Sequence, residues 1–319
     1  MPVSNPAPAP PAKPPASGLA VGLALALLGS IAFSAKAIIV KLAYRHGVDA
    51  VTLIMYRMLF ALPIFAAMAW WASRGKPPLS RKDVWGVLGL GVTGYYLASF
   101  LDFAGLAYIT ASLERLILYL NPTLVVLLGW ALYGKRVHWG QAVGMLISYC
   151  GVVLVFGLEA HSQGGQGGQG GQAAWGALLV FLSAVSYAVY LVFSGEMVQR
   201  IGALRLVGLA TTVACICCLV QFVVLRPLSA AIVAPQVLWL SVLNATLCTA
   251  APVLMVMMAI ERIGAGMAAQ AGMVGPLSTI FMGIWILGEP FTLWLAVGTC
   301  LVVAGIFVFT RLARKAAAG

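Results

Sequence analysis

The chain has 319 residues, of which 62% are hydrophobic and only 8% are charged, and its formal net charge is +11. A soluble protein of this size cannot keep so much apolar surface out of water, so the composition indicates a polytopic membrane protein. It leaves no soluble domain for a basic nucleic-acid-binding patch, so we expect no nucleic-acid partner and interpret the excess positive charge as a topology signal.

The chain is predicted to begin with a tail that precedes ten apolar segments. Residues 1–17 are rich in Pro and Ala and lack the features of a secretory signal, which predicts a flexible cytoplasmic tail. A helix needs about 20 apolar residues to cross a bilayer. The segments that approach or reach this length are 19–43, 50–72, 84–108, 111–133, 138–157, 174–196, 203–225, 235–260, 265–288 and 291–311.

The Gly-Gly-Gln repeats after the fifth segment indicate a linker between two five-helix halves. The predicted units are a first repeat at 18–157, a Gly/Gln-rich outer linker at 158–173, a second repeat at 174–312 and a basic cytoplasmic tail at 313–319.

The positions of Lys and Arg orient these segments. With the N-terminus inside, the inner segments hold thirteen basic residues, whereas the outer loops hold only Arg45 and Arg226. Because basic residues accumulate on the cytoplasmic side, both termini are predicted to be cytoplasmic. Five crossings per half is an odd number, so the two halves are predicted to insert with opposite orientations.

The second half repeats a pattern of small residues and prolines from the first half at an offset of 154 positions. The residues Ala111, Pro122, Gly129, Gly134, Ala142-Val143-Gly144 and Gly151 recur as Ala265, Pro276, Gly283, Gly288, Ala296-Val297-Gly298 and Gly305. An internal repeat in a membrane chain is typical of a transporter whose halves move around a central site.

These features resemble the ten-helix EamA family of the drug/metabolite transporter superfamily. The resemblance is carried by Leu120-Asn121-Pro122, Gly275-Pro276, Gly288-Glu289-Pro290 and the stretch from Phe33 through Lys36 to Lys41. It implies an all-α membrane protein with ten transmembrane helices in two inverted repeats, and a bacterial exporter of small metabolites. One departure is that Gly288-Glu289 corresponds to Gly134-Lys135, so a role of Glu289 cannot apply to both halves.

Apart from Lys41, which lies closer to the interface, five charged residues lie inside the first four segments, where charges are costly: Lys36, Arg57, Asp102, Glu114 and Arg115. Counted from the outer helix ends at about 1.5 Å per residue, they lie within roughly 10 Å of one depth. The corresponding positions of the second half are uncharged. We therefore predict a one-sided charged cluster, with two interpretations open: it binds substrate, or it only pairs internally and holds helices together.

Helical spacing adds polar neighbours to this cluster. Tyr95 and Ser99 share a helix face with Asp102, and interhelical hydrogen bonding is their alternative role. The predicted substrate-binding residues are Lys36, Arg57, Tyr95, Ser99, Asp102, Glu114, Arg115, Tyr119, Asn121 and Gln270. Pro122 and Pro276 are predicted to bend their helices, either to move the two halves or merely to pack them. Glu289 is predicted to cap the last segment.

These predictions combine into a secondary transporter of the bacterial inner membrane that exports amino acids or similar zwitterions and can work as a monomer. The six cysteines have no zinc-site spacing and there is no nucleotide-binding loop, so we expect no metal, no cofactor and energy from a gradient. The first alternative is an exporter of lipophilic cations. The second is an integral-membrane enzyme, but all three histidines lie in loops or at segment edges, and no nucleophile has an adjacent base.

Overall fold

The computed structural model describes residues 16–134, 139–164, 170–272 and 274–318. Within these ranges all regular structure is helical and no β-strand occurs, which confirms the predicted all-α class. The helices are α1 (Ala16–Tyr44), α2 (Ala50–Ser73), α3 (Arg81–Leu90), α4 (Ala98–Leu106), α5 (Ala111–Leu118), α6 (Asn121–Tyr133), α7 (Trp139–Gly164), α8 (Gly170–Ile201), α9 (Ala203–Leu225), α10 (Pro235–Ala245), α11 (Ala251–Gly272), α12 (Val274–Met282) and α13 (Leu293–Ala318).

Three π-helical segments and one short 3₁₀ turn complete the regular structure of the described residues. The π-helical segments Gly91–Leu97 and Thr246–Ala250 join α3 to α4 and α10 to α11, and Gly283–Leu287 extends α12. The 3₁₀ turn Leu228–Ala231 follows α9.

The described residues contain ten apolar helical segments, seven long and three shorter. Seven are long and apolar enough to cross a bilayer: Leu19–Tyr44, Ala50–Ser73, Arg81–Leu106, Ala111–Tyr133, Gly171–Ile201, Ala203–Leu225 and Pro235–Ile263. The shorter ones are Ala142–Gly157, Val274–Leu287 and Leu293–Val308. A multi-pass membrane protein follows from these helices, whereas ten crossings and two cytoplasmic termini stay predictions.

Parts of the predicted units lie outside the described residues. These are residues 1–15 of the first tail, 135–138 of the first repeat, 165–169 of the linker, 273 of the second repeat and 319 of the basic tail. The two ends of the linker are helical, because α7 extends to Gly164 and α8 begins at Gly170.

Matched glycines end corresponding helices of the two halves. Gly134 after α6 has a φ of 63°, and Gly288, its counterpart after α12, has a φ of 73°. Only glycine adopts this left-handed conformation without steric cost, and it is the usual residue just past a helix end. The repeat therefore preserves the two turns that stop these helices.

Helix α11 runs along α1 in one direction and then turns back along it. Gly29 packs against Met255, while the neighbouring Ser30 donates a hydrogen bond from its hydroxyl to the carbonyl of Gly272 at 2.9 Å. In one straight helix these two partners would be about 25 Å apart. The predicted boundary between the eighth and ninth segments, at 261–264, falls inside this reversal.

Among the described residues, the helix pairs with the most extensive contacts each join one helix from the first repeat to one from the second. These pairs are α1 with α11, α2 with α9, α4 with α8 and α7 with α13. At the last pair the backbones meet at glycines, because a Cβ on Gly151 would lie 2.6 Å from the carbonyl oxygen of Gly298. Small residues allow this close approach, which is a frequent way to pack membrane helices.

We expect Gly151→Ala to lower the free energy of unfolding by about 1–3 kcal/mol, because its methyl group must push α7 away from α13. Gly157→Ala is the matched control on the same helix, since a Cβ there meets no atom of the described residues within 4 Å. Thermal unfolding in detergent measures the difference. Equal midpoints for the two variants would contradict the tight α7–α13 contact.

Candidate functional site

A cavity of about 250 Å³ lies among helices of both repeats. Eight of the ten predicted substrate-binding residues line it: Lys36, Arg57, Tyr95, Ser99, Asp102, Arg115, Tyr119 and Asn121. Glu114 is fully buried and is not part of the lining. The side chain of Gln270 lies outside what the structure describes. The structure thus brings most of these residues to one place, while their role in binding stays a prediction.

Lys36 connects two carboxylates from different helices. Its Nζ on α1 lies 2.5 Å from Asp102 Oδ2 on α4 and 3.3 Å from Glu114 Oε1 on α5. All three side chains are buried, and neither oxygen of Glu114 has a hydrogen-bond partner among the described residues. Lys36 is therefore the counter-ion of both carboxylates, with its hydrogen bond going to Asp102. We call these three residues the lysine triad.

The two arginines of the predicted cluster have neutral partners. Arg57 Nε donates to Thr249 Oγ1 at 3.2 Å, and its buried Nη1 has no hydrogen-bond partner in the described chain. Arg115 Nε donates to Thr279 Oγ1 at 3.0 Å, and its Nη2 lies 3.4 Å from the carbonyl oxygen of Phe33. Neither guanidinium has a carboxylate within salt-bridge distance among the described residues. Three of the five predicted charges pair, and two do not.

Two tyrosines outside the lysine triad form another part of the cavity wall. Tyr95 and Tyr187 line the cavity, and both rings pack against Tyr190 with centroids 5.1 and 5.5 Å away. The hydroxyls of Tyr95 and Tyr190 are 3.2 Å apart, within hydrogen-bonding distance. Tyr190 occupies the repeat position that corresponds to Lys36, so an aromatic contact stands there in place of an ion pair.

Sequence reasoning missed the residues that hold the arginines and much of the apolar wall. Thr249 and Thr279 lie in apolar segments, and no charge or motif distinguishes them from other threonines of the chain. Phe65 and Val253 line the cavity as well. Apolar lining residues have the same sequence signature as residues packed against lipid, so periodicity alone does not separate them.

Both matched prolines free a carbonyl, and each carbonyl has a side-chain donor. Pro122 has no N–H to donate to the carbonyl of Leu118, and the helix is interrupted there, between α5 and α6. Asn121 Nδ2 donates to the Leu118 oxygen instead, at 2.8 Å. Pro276 likewise provides none for Gly272, whose oxygen accepts the Ser30 hydroxyl. The breaks are thus stabilised as the chain stands, and their role in bending remains a prediction.

The prediction for Glu289 was wrong, because this residue caps a helix of the other repeat. Its carboxylate accepts hydrogen bonds from Ala111 N at 2.7 Å, Ser112 N at 3.2 Å and Ser112 Oγ at 2.6 Å, all at the start of α5. The last helix is capped by Thr292, whose hydroxyl accepts from Leu295 N. Sequence position favoured the adjacent helix, but the hairpin after α12 folds against α5.

A second, more open pocket lies beyond the lysine triad. It is lined by Lys41, Tyr44, Arg45, Ala107, Thr110, Leu287 and Glu289, none of which lines the cavity. Lys41 and Ala107 each follow a triad residue by five positions, about 7.5 Å along a helix. The triad therefore lies between the cavity and this pocket, on the side predicted to be outer.

Comparison with known proteins gives matches over most of the chain. A sequence model of the EamA-like transporter family matches residues 20–157 and again residues 174–311. The uncharacterized transporter YcbK of Bacillus subtilis is 31% identical over 271 residues, which cover 82% of this chain and 84% of that protein. The uncharacterized transporter YetK of the same organism is 24% identical over 254 residues, covering 79% and 76% respectively.

A solved protein structure extends this similarity to the fold. It superposes on 94% of this chain and 98% of its own, with a TM-score of 0.59 and 22% sequence identity. At this identity the match shows the shared fold alone.

Proposed function

The chain belongs to the EamA-like transporter family, and on this basis we propose that it exports amino acids or similar zwitterions across the bacterial inner membrane by alternating access. The membership agrees with the resemblance drawn from the sequence motifs. Membrane transport is the activity that the family and its relatives indicate. The substrate class, the direction and the membrane are our proposal.

The observation that carries this proposal is a small cavity whose lining residues have buried, unsatisfied groups of both charges. Arg57 has a buried Nη1 without a hydrogen-bond partner in the described chain, and so does Oδ1 of Asp102. Both residues line the cavity. A zwitterion offers a carboxylate to a guanidinium and an ammonium to a carboxylate, so it satisfies both groups at once. A volume of about 250 Å³ suits a small metabolite.

The arrangement around this cavity supports the alternating-access part of the proposal. The lysine triad separates the cavity from the second pocket, so opening that path requires the triad or its helices to move. The second half has no charged counterpart of the triad, and this asymmetry supports a closing contact on the outer side alone. Energy then comes from a gradient across the membrane or from downhill efflux.

Export of lipophilic cations is the second candidate, favoured by the aromatic residues Phe33, Phe65, Tyr95 and Tyr187 in the lining. A cation, however, would have to displace Lys36 from its carboxylates and would face two guanidinium groups. The zwitterion proposal satisfies these groups and the cation proposal does not.

Efflux from proteoliposomes tests the proposal. Liposomes with purified protein are loaded with a mixture of amino acids, organic acids and quaternary amines, and mass spectrometry follows what leaves. We expect amino acids to leave at least ten times faster than from protein-free liposomes. Release of amines alone would overturn the proposal in favour of cation export.

A pair of tryptophan variants tests whether the substrate passes through the cavity. Ser99 lines the cavity, whereas Leu97, two residues earlier, is exposed on the surface of the helix bundle. We expect Ser99→Trp to stop amino-acid efflux by filling the cavity, and Leu97→Trp to retain it because its ring lies in lipid. Equal efflux through both variants would contradict transport by this route.

A further inference from the structure

We propose that the substrate is an acidic amino acid, which carries two carboxylates, one ammonium and a net negative charge. This inference rests on the proposed function and narrows its substrate class. It follows from the distribution of partners among the five charged residues at the cavity, which the residue types alone do not reveal.

The first step is the charge that remains after internal pairing. Three cations and two carboxylates meet at this site, and both carboxylates have Lys36 as their counter-ion. With every group ionised, the cluster has an excess of one positive charge. A neutral zwitterion leaves that excess in place, whereas a substrate with one net negative charge cancels it. Uncompensated charge is costly at this depth in a membrane protein.

The second step is the state of Arg57. Its side chain is 5% exposed and lines the cavity, and its only hydrogen bond to the described residues is to the neutral hydroxyl of Thr249. The Nη1 atom is buried and unpartnered there. A buried guanidinium without an anion is rare because desolvation of the charge is not offset. A carboxylate is the partner that its fork of donors fits best.

The third step is that Arg115, on a different helix, has the same kind of environment. It is 6% exposed, lines the same cavity, and bonds to the hydroxyl of Thr279 and the carbonyl of Phe33. The Phe33 ring also lies 5.5 Å from its guanidinium carbon. Two guanidinium groups from α2 and α5 therefore face one cavity, and each has only neutral protein partners.

The fourth step is the position left for an ammonium group. Asp102 lines the cavity and uses Oδ2 for Lys36, while its Oδ1 has no hydrogen-bond partner in the part of the chain that the structure describes. An acidic amino acid places its two carboxylates at Arg57 and Arg115 and its ammonium at Asp102. Each unsatisfied group then has a partner of opposite charge.

A series of closely related ligands tests this assignment by equilibrium binding to the purified full-length protein in a chloride buffer. Glutamate and glutamine have nearly the same shape and differ by one charge, glutarate lacks the ammonium, and 4-aminobutyrate lacks the α-carboxylate. We expect glutamate to bind at least ten times more tightly than each of the other three. Equal or tighter binding of glutamine would overturn the inference.

Variants show whether the two arginines cause this preference. We expect Arg57→Gln and Arg115→Gln each to reduce the glutamate-to-glutamine preference to less than threefold, while Arg57→Lys and Arg115→Lys keep part of it. Arg262→Gln is the control, because Arg262 is an exposed residue that bonds to the Met258 carbonyl. If Arg57→Gln and Arg115→Gln both keep the preference for glutamate and have unfolding midpoints like the wild type, the inference is also overturned.

The efflux assay separates this inference from the proposed function. Release of neutral amino acids without release of glutamate would support amino-acid export and overturn the acidic substrate. Release of no amino acid at all would overturn both. Release of glutamate ahead of glutamine would support both.

Discussion

Lys36→Met is expected to abolish transport and to lower the free energy of unfolding by about 3–5 kcal/mol. The substitution keeps most of the side-chain volume but leaves Asp102 and Glu114 buried without their common counter-ion. An uncompensated buried charge is costly because neither water nor a cation replaces the lost interaction. Thermal unfolding in detergent and efflux from proteoliposomes measure the two effects. Lys82→Met, at an exposed lysine, should change neither.

A triple variant distinguishes the two interpretations of the charged cluster. Lys36→Met combined with Asp102→Asn and Glu114→Gln removes all three charges, so most of the lost stability should return. If the triad binds substrate or gates its path, transport stays absent in this stable variant. Wild-type transport by the triple variant would show that the triad only holds helices together.

Glu289→Ala is expected to weaken substrate affinity, although Glu289 does not line the cavity. Loss of the carboxylate leaves the N–H groups of Ala111 and Ser112 without acceptors, and each such buried donor costs about 1–3 kcal/mol. It also removes a negative charge from the positive end of the α5 dipole. Because Arg115 lies about one turn from that end, a shifted α5 moves its guanidinium.

The measurement is the substrate KM together with the maximal rate. We expect KM to rise at least fivefold in Glu289→Ala, and Glu289→Gln to recover part of this change because its amide oxygen still accepts a hydrogen bond. Glu261→Ala is the control, at an exposed glutamate of α11. An unchanged KM with an unchanged unfolding midpoint would show that the contact has no influence on the site.

Much of the candidate site could be predicted because buried charge is rare in membrane helices. Cost and depth alone predict Lys36, Arg57, Asp102 and Arg115 as site residues, and all four line the cavity. The same reasoning predicts that Glu114 binds substrate, but this residue is fully buried beside Lys36 and is not part of the lining. Depth along a helix follows from residue number, but the direction in which a side chain points depends on how the helix is rotated against its neighbours.

The sequence by itself determined that this is an all-helical membrane protein with a repeated half, because hydrophobicity and spacing are properties of residue order. It also determined where the helix-breaking prolines and turn glycines stand. Only the tertiary structure decided which groups satisfy one another. Lys36 pairs with both carboxylates, the two arginines donate hydrogen bonds to threonines, and Glu289 caps α5 and not α13. These pairings join residues far apart in the chain. A hydrogen bond requires a narrow range of donor–acceptor distances, and these distances depend on how the helices pack, which no local sequence pattern encodes.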